Sequence, residues 1–592
     1  MRRQFANDRV RRAAVASALF VVLAGCAAPQ PASQPAQPAA TSAPAQKRII
    51  TAAMLGEPRS LAPGVGVGGI RGLESIGDLI SAGLSAWDDH GRLIPRLGVA
   101  VPSTDNGGWK LFPDGTMETT WTLRPGATWH DGVLLTSHDL AFTLTLYRDK
   151  KLEFASSLYD AIDGASTPDD RTIVVHWKRP NIEADSLFSG GETVHALPLP
   201  AHLLEDSYTT RDPLIPSPST SSGQALSKDG FMAQDYFTGP AYVGTGPFVV
   251  RDWVKGSHVI FDAFPGYILG TPKIDQIVVR FIPDTNALLA NILAGQLDMT
   301  FGKTLSNEQA VEVRNRWPDG HIDVVQANTI SLFPQHLTPN PAVVADPRFL
   351  RAVYHATDRQ QLADTLLNGL SQITDAMVGP GDVAYPDVQA RITRYPYDPR
   401  QAMELIQGLG YTRGADGFYH DATGEKLSVE LRTVDVDVNT KTQLAIADAW
   451  QRAGIGVEPY VVPPAEQTGP ARGLRATFKA FEMERGGAEL QSLPNYTSAN
   501  IATPENNYAG QYRTRYKSAE LDGLIERYSA TIPTAERTRI LGDVVAFMSE
   551  HLVYMPLFHD VEPTMIGNRI ANAAARHTFS SNTWNVHLWD LK

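Results

Sequence analysis

The sequence predicts an α/β fold carried by more than one unit, and three observations predict it. The chain has 592 residues, more than one hydrophobic core usually organises, so length points to roughly two to four units. Short strand-like runs, such as Ile274–Phe281 and Leu427–Leu431, recur along the chain. Helices with recognisable start signals lie between them, as at Thr136 and Asp358, where a short polar side chain precedes apolar residues at helical spacing.

Composition narrows the function classes. Hydrophobic residues make up 43% and charged residues 20%, as in soluble globular proteins. Net charge is −12, and without residues 1–25 it becomes −16, with 47 basic and 63 acidic residues. An acidic body disfavours binding to nucleic acid through its general field. Cys26 is the single cysteine, so no intrachain disulfide and no cysteine-built metal cluster is available.

The first elements read as an address. Arg2, Arg3, Arg9, Arg11 and Arg12 precede the apolar run Ala13–Ala24, which is too short to span a bilayer and fits a secretory leader. Leu23-Ala24-Gly25-Cys26 looks like a bacterial lipobox, which implies lipidation at Cys26 and cleavage before it. Ala27–Gln46 is almost all Ala, Pro, Gln, Ser and Thr. Such a segment cannot bury a core and is expected to be a disordered tether.

The body follows in order. Arg48–Leu55 reads as a strand and Leu73–Trp87 as a helix. Between them Gly64–Gly69 satisfies G-x-G-x-x-G, but Pro63 replaces the preceding strand and no βαβ unit surrounds it, so it reads as a loop. Trp121–Arg124 alternates as a strand, Pro125-Gly126 turns, Ala127–Trp129 is a second short strand and His130-Asp131-Gly132 a second turn. Thr136 with Asp139 then forms an imperfect capping box for a helix whose apolar face carries Leu140, Leu144 and Tyr147. His130-Asp131 reads as a polar turn, because no second ligand set lies nearby at metal spacing. Asp169–Pro180 holds a strand, and Ser207–Asp229 a surface loop. Thr285–Leu297 is helical, Asp358 caps a helix, and His355 reads as a packed or surface residue. Asp435-x-Asp437-x-Asn439 lacks the Gly and Glu of a calcium loop, and Asn439 reads as a helix cap.

These elements carry a resemblance. The ordered set Leu123, Arg124, Gly126, Trp129, His130, Asp131, Gly132, Thr136 and Asp139 is similar to the family 5 extracellular solute-binding proteins of ABC importers, the dipeptide- and oligopeptide-binding type. So are Glu57-Pro58 with Ser60-Leu61, although Ala62 stands where Asp is usual. Leu197–Leu203, Val243-Gly244-Thr245-Gly246-Pro247-Phe248, Gly295–Asp298, Arg351 to Arg359, Leu521–Ile525 and Met555–Phe558 complete the match.

The resemblance implies a type II periplasmic-binding-protein fold: two α/β lobes, a hinge, and an extra subdomain in lobe one. The implied map is leader 1–25, tether 26–47, lobe I in 48–90, 195–330 and 555–592, its small subdomain in 91–194, and lobe II in 331–554. It implies capture of a solute, foremost a peptide, and delivery to the transmembrane subunits of a permease. The chain is expected to be a monomer, lipid-anchored at the cell envelope and facing the periplasm, or the outer surface of a cell without an outer membrane. No enzyme activity, catalytic set, metal, cofactor or nucleic-acid partner is expected.

The resemblance weakens at Phe481–Gly487, where peptide binders commonly carry Trp and an Asp that holds the peptide amino terminus. Glu482 or Glu484 is the replacement candidate. Arg485 beside them either fixes a carboxylate or neutralises the glutamates. Arg71 and Arg432 complete the candidate ligand-binding set. Alternatives are a non-peptide solute (an opine, a sugar derivative or a metal chelate) and a secreted hydrolase, although G-x-S-x-G and H-E-x-x-H are both lacking.

Overall fold

The structure is a computed structural model describing residues 47–62, 71–150, 152, 157–191, 195–209, 231, 234–467, 472–486, 489–573 and 576–592. The leader, Cys26, the tether, the Gly64–Gly69 loop and most of Ser207–Asp229 lie outside the described residues.

Ten strands form one mixed sheet: β1 (Ile49–Met54), β2 (Phe248–Val254), β3 (His258–Ala263), β4 (Gln276–Phe281), β5 (Met299–Thr300), β6 (Gly320–Pro334), β7 (Ser428–Val434), β8 (Gly456–Val462), β9 (Phe481–Arg485) and β10 (Met555–Gly567). Their order is β8-β7-β9-β6-β10-β5-β1-β4-β3-β2. The two long central strands, β6 and β10, run antiparallel from Gly320 opposite Gly567 to Leu332 opposite Met555. Register shifts interrupt that ladder at Gln326/Asn328 and Ile330/Ser331. Such irregularities bend a strand pair and raise its twist.

Cores form on either side of this central pair. On the β1 side, Ile50, Ala52, Leu79, Phe248, Val259, Ile277 and Phe301 pack with Trp121, Trp129 and Trp177. On the β7 side, Leu332, Phe349, Val353, Leu431, Trp450, Phe481 and Met483 pack together. Each large apolar side chain fully buried contributes on the order of 2 to 3 kcal/mol, so both sides hold substantial cores of their own.

The stretch around Trp121 builds a four-stranded antiparallel sheet, ordered Trp109–Leu111, Met117–Thr122, Thr172–Trp177, Ile162–Asp169. The helix Ser137–Arg148 has its reciprocal capping box, Thr136 with Asp139. Ala127–Trp129 is less regular than expected, with Thr128 and Leu134 making one isolated bridge. His130 staples this turn to the Val243–Phe248 segment. Its Nδ1 accepts from the Gly244 N–H at 3.1 Å, and its Nε2 lies 3.0 Å from the Gly246 carbonyl. Any Cβ at Gly244 or Gly246 would overlap the backbone of Ile80, which explains two glycines there.

Two expectations are corrected. The helix Leu73–Trp87 stops at Ile80, and Ser85–Trp87 is a strand. Ser81 turns extended, and Gly83 passes so close to the Phe188 carbonyl that no side chain fits. Asn439 is not a cap: it lies inside the helix Asp437–Arg452, whose cap position is Val436, and it is buried. Asp358 caps as expected, accepting from the Gln361 N–H at 2.9 Å. His355 is buried, with Nδ1 2.7 Å from the Pro396 carbonyl.

Candidate functional site

Two pairs of acids on strands define the charged centre of the molecule. On β9, Phe481 and Met483 enter the core, so strand alternation turns Glu482 and Glu484 to the opposite face. Arg475, from the short helix Arg472–Ala476, bonds Glu482 through Nε at 3.0 Å and pairs with Glu484. Arg513 pairs with Glu484 and approaches Glu482 at 3.8 Å. A cavity of about 230 Å³ opens beside this cluster, lined by Arg475, Phe478, Glu482, Tyr508, Gln511 and Arg513.

On β10, Asp560 and Glu562 have the same two-residue spacing. Lys303 holds Asp560 at 3.0 Å, and Arg485 pairs with it too. Arg71, Arg576 and Arg485 converge on Glu562, the last at 3.3 Å. Burial alone would raise the Asp560 carboxyl, but Lys303 and Arg485 outweigh it and hold it below the usual carboxylate range. Burial pulls the Lys303 ammonium below its usual value, against the attraction of Asp560.

The larger cavity, about 450 Å³, lies between the β1 side and the β7 side. Arg71, Lys303, Asn307 and Glu308 line it from one, and Leu366, Val436, Asn439 and Glu484 from the other. Two helices start at its rim, Asn307–Arg316 and Asp437–Arg452. Lys441 bridges them, 2.9 Å from Asp437 and 3.8 Å from Glu308. Among the described residues, the buried Oδ1 atoms of Asn307 and Asn439 find no hydrogen-bond partner.

The structure brings Arg71, Glu484 and Arg485 together at the larger cavity and Glu482 at the smaller one. Arg485 neutralises Asp560 and Glu562, not the glutamates beside it in sequence. Arg432 lines neither cavity. Its guanidinium is held by Glu430 at 2.8 Å and by the Leu474 carbonyl at 3.0 Å, over the Tyr460 ring. Sequence reasoning passed over Lys303, Arg475, Arg513, Asp560 and Glu562. The two acids had a signal: they alternate with Val561 and Pro563 within a strand whose ends, Met555–Phe558 and Met565-Ile566, are apolar. The three cations had none.

A mixed α/β sheet divided by two crossing strands, with a cavity between its sides, defines a type II periplasmic-binding-protein fold. Residues 106–508, about two-thirds of the chain, match the bacterial extracellular solute-binding proteins, family 5. The chain belongs to that family, the solute-binding components of ABC importers. A glutathione-binding protein, GsiB, of Salmonella choleraesuis is 24% identical over 447 residues, covering 72% of this chain and 79% of its own. Among solved structures, the oligopeptide-binding protein of Thermus thermophilus complexed with a pentapeptide has a TM-score of 0.64 at 20% identity, covering 92% of this chain and 96% of its own. NikA of Brucella suis in complex with Fe(III)-EDTA has a TM-score of 0.69 at 17% identity, covering 92% and 100%. No described helix is long and apolar enough to cross a membrane.

Proposed function

We propose that this chain is the lipid-anchored receptor of an ABC importer, that it captures a peptide between its two lobes, and that the loaded form docks on the transmembrane permease subunits. The observation that carries the peptide reading is the lining of the larger cavity. Buried polar groups are normally hydrogen-bonded, so the unmatched Asn307 and Asn439 oxygens, one from each side, suit the N–H groups of a bound backbone. Arg71, Lys303 and Arg485 supply partners for its carboxylate. The named specificities of GsiB and of the Thermus protein support the same class.

The lobes in this reading are 48–90, 195–330 and 555–592 on one side and 331–554 on the other, with 91–194 as a subdomain. The hinge falls where the β6–β10 ladder changes register. A solute drives closure only by the difference in its affinity for closed and open forms. Cys26 carries the lipid, and 26–47 is the tether that lets the body reach a membrane-embedded permease. The role is monomeric binding without turnover. The Fe(III)-EDTA complex of NikA favours a second reading, a non-peptide chelate as cargo.

Native mass spectrometry of the full-length protein, purified in detergent without unfolding, tests the cargo. A ladder of bound masses spaced by amino-acid residues is the expected result; one discrete non-peptide mass transfers the conclusion to the second reading. Cys26→Ser tests the anchor: it should move the protein from the membrane to the soluble fraction.

A further inference from the structure

The two acid clusters are layered. Asp560, Glu562, Glu482 and Glu484 have side chains only 1 to 5% exposed, while Lys303, Arg71, Arg475, Arg485 and Arg513, which face them, are 17 to 40% exposed. The acids, with Arg576 at 2% exposed, form the back of each wall and these five bases its front. A solute therefore meets guanidinium and ammonium edges first, and the nearer pole of each ion pair dominates what it feels. Arg71, Lys303 and Arg485 line the larger cavity, where the nearly buried Asp560 and Glu484 also reach the lining, and Arg475 and Arg513 line the smaller beside Glu482. Glu484 lines the larger cavity and binds the two arginines that line the smaller, so the two spaces share a wall. An incoming ammonium finds Glu482 and Glu484 already neutralised. Carboxylates that meet unpaired ammonium groups elsewhere are, in this chain, structural counter-ions. The exposed acids, Glu308 and Asp437, sit at the rim with Lys441.

The geometry points to a cargo bearing at least two carboxylate groups, one taken by Arg71, Lys303 and Arg485 in the larger cavity and another by Arg475 and Arg513 in the smaller. This rests on the larger cavity being the cargo site, as proposed above, and it narrows the class of cargo whether or not that cargo is a peptide. Arginine is suited to the task because its planar fork donates to a carboxylate on one edge while the other edge stays bound to a glutamate.

The test is isothermal titration of the full-length protein in detergent with two matched pairs of probes. One pair is Glu-Ala-Glu and trialanine; the other is tricarballylate and its uncharged triamide. Within at least one pair the acidic member is expected to bind about tenfold more tightly or better, with the preference shrinking as salt is raised. The joint substitution Arg475→Gln with Glu482→Gln removes a cation together with its counter-ion, and should cut the preference at least about threefold with the circular dichroism unchanged. Preference in the tricarballylate pair with both peptides silent sustains the inference and removes the peptide reading. Peptides that bind without regard to charge keep the peptide reading and overturn this one. Silence of all four probes with a folded chain also overturns it.

Discussion

The acid pair on β10 and the acid pair on β9 meet the same demand in different ways. Each places two carboxylates two residues apart on a strand, almost fully buried. Asp560 and Glu562 recruit cations from both sides of the sheet: Arg71 and Lys303 from the β1 side, Arg485 from the end of β9, and Arg576 from near the C-terminus. Among the described residues, Glu482 and Glu484 recruit Arg475 and Arg513, both from the chain between β8 and β10. The first cluster thus ties the two sides together, and the second is complete within one of them. Ion pairs of similar burial serve different ends, according to how far along the fold the partners come from.

Four measurements break or sharpen this contrast. The largest effect is expected from acid. Burial pushes His130, His195, His336, His559 and His587 down to about 4. The unfolded chain protonates these rings near 6.5, and the native chain does so only near 4. Their stabilisation is therefore full above about pH 7 and is lost as pH falls towards 4, at up to roughly 1.4 kcal/mol per pH unit for each ring. Asp185, pushed up to about 6 by burial, offsets part of this. Urea midpoints should fall steeply between pH 7 and 5, and a flat profile would refute the account. His559 adjoins Asp560, so acid should strain the β10 cluster before the β9 cluster.

Substitution compares the pairs directly. Glu562→Ala leaves three arginines short of a partner and should cost about 3 to 5 kcal/mol, as loss of one member of a buried pair does. Glu482→Ala leaves Glu484 to serve both arginines and should cost roughly 1 to 3 kcal/mol. Equal shifts in denaturation midpoint would erase the distinction. Arg485→Gln should also alter the open–closed balance, seen as a changed radius of gyration in solution scattering without solute, while Arg475→Gln should leave it alone. The smallest effect belongs to Lys441→Ala at the exposed rim. It should change solute affinity by less than about fivefold, because exposed pairs contribute under about 1 kcal/mol.

The parts of the molecule that follow local rules were legible in the sequence. The Thr136–Asp139 box, the Asp358 cap and the strand at Ile274–Phe281 depend on residues within a few positions of one another. The Val243–Phe248 motif was legible as a motif, but its reason, contact with the backbone of Ile80, was not. The helix end at Ile80 was missed because Gly83 answers to Phe188, over a hundred positions away. Within the site, the Glu482/Glu484 alternation was readable and its partners were not. Arg475 and Arg513 resemble any surface arginines until the fold brings them to β9. Asn439 misled because a short polar side chain near a helix start often caps, whereas here it is the third residue of the helix and lines the cavity.

The two crossing strands also set a schedule. The chain is made from its N-terminus, yet β10 lies between β6 and β5, and Ile570, Val586 and Trp589 belong to the same core as Ile50 and Trp121. The portion that emerges first therefore cannot finish folding until the portion that emerges last arrives. Throughout synthesis and export, the earliest apolar strands wait with an unfilled seam, the condition under which chaperones bind and aggregation competes. A chain shortened by its last few dozen residues would lose the older half of the molecule rather than the younger.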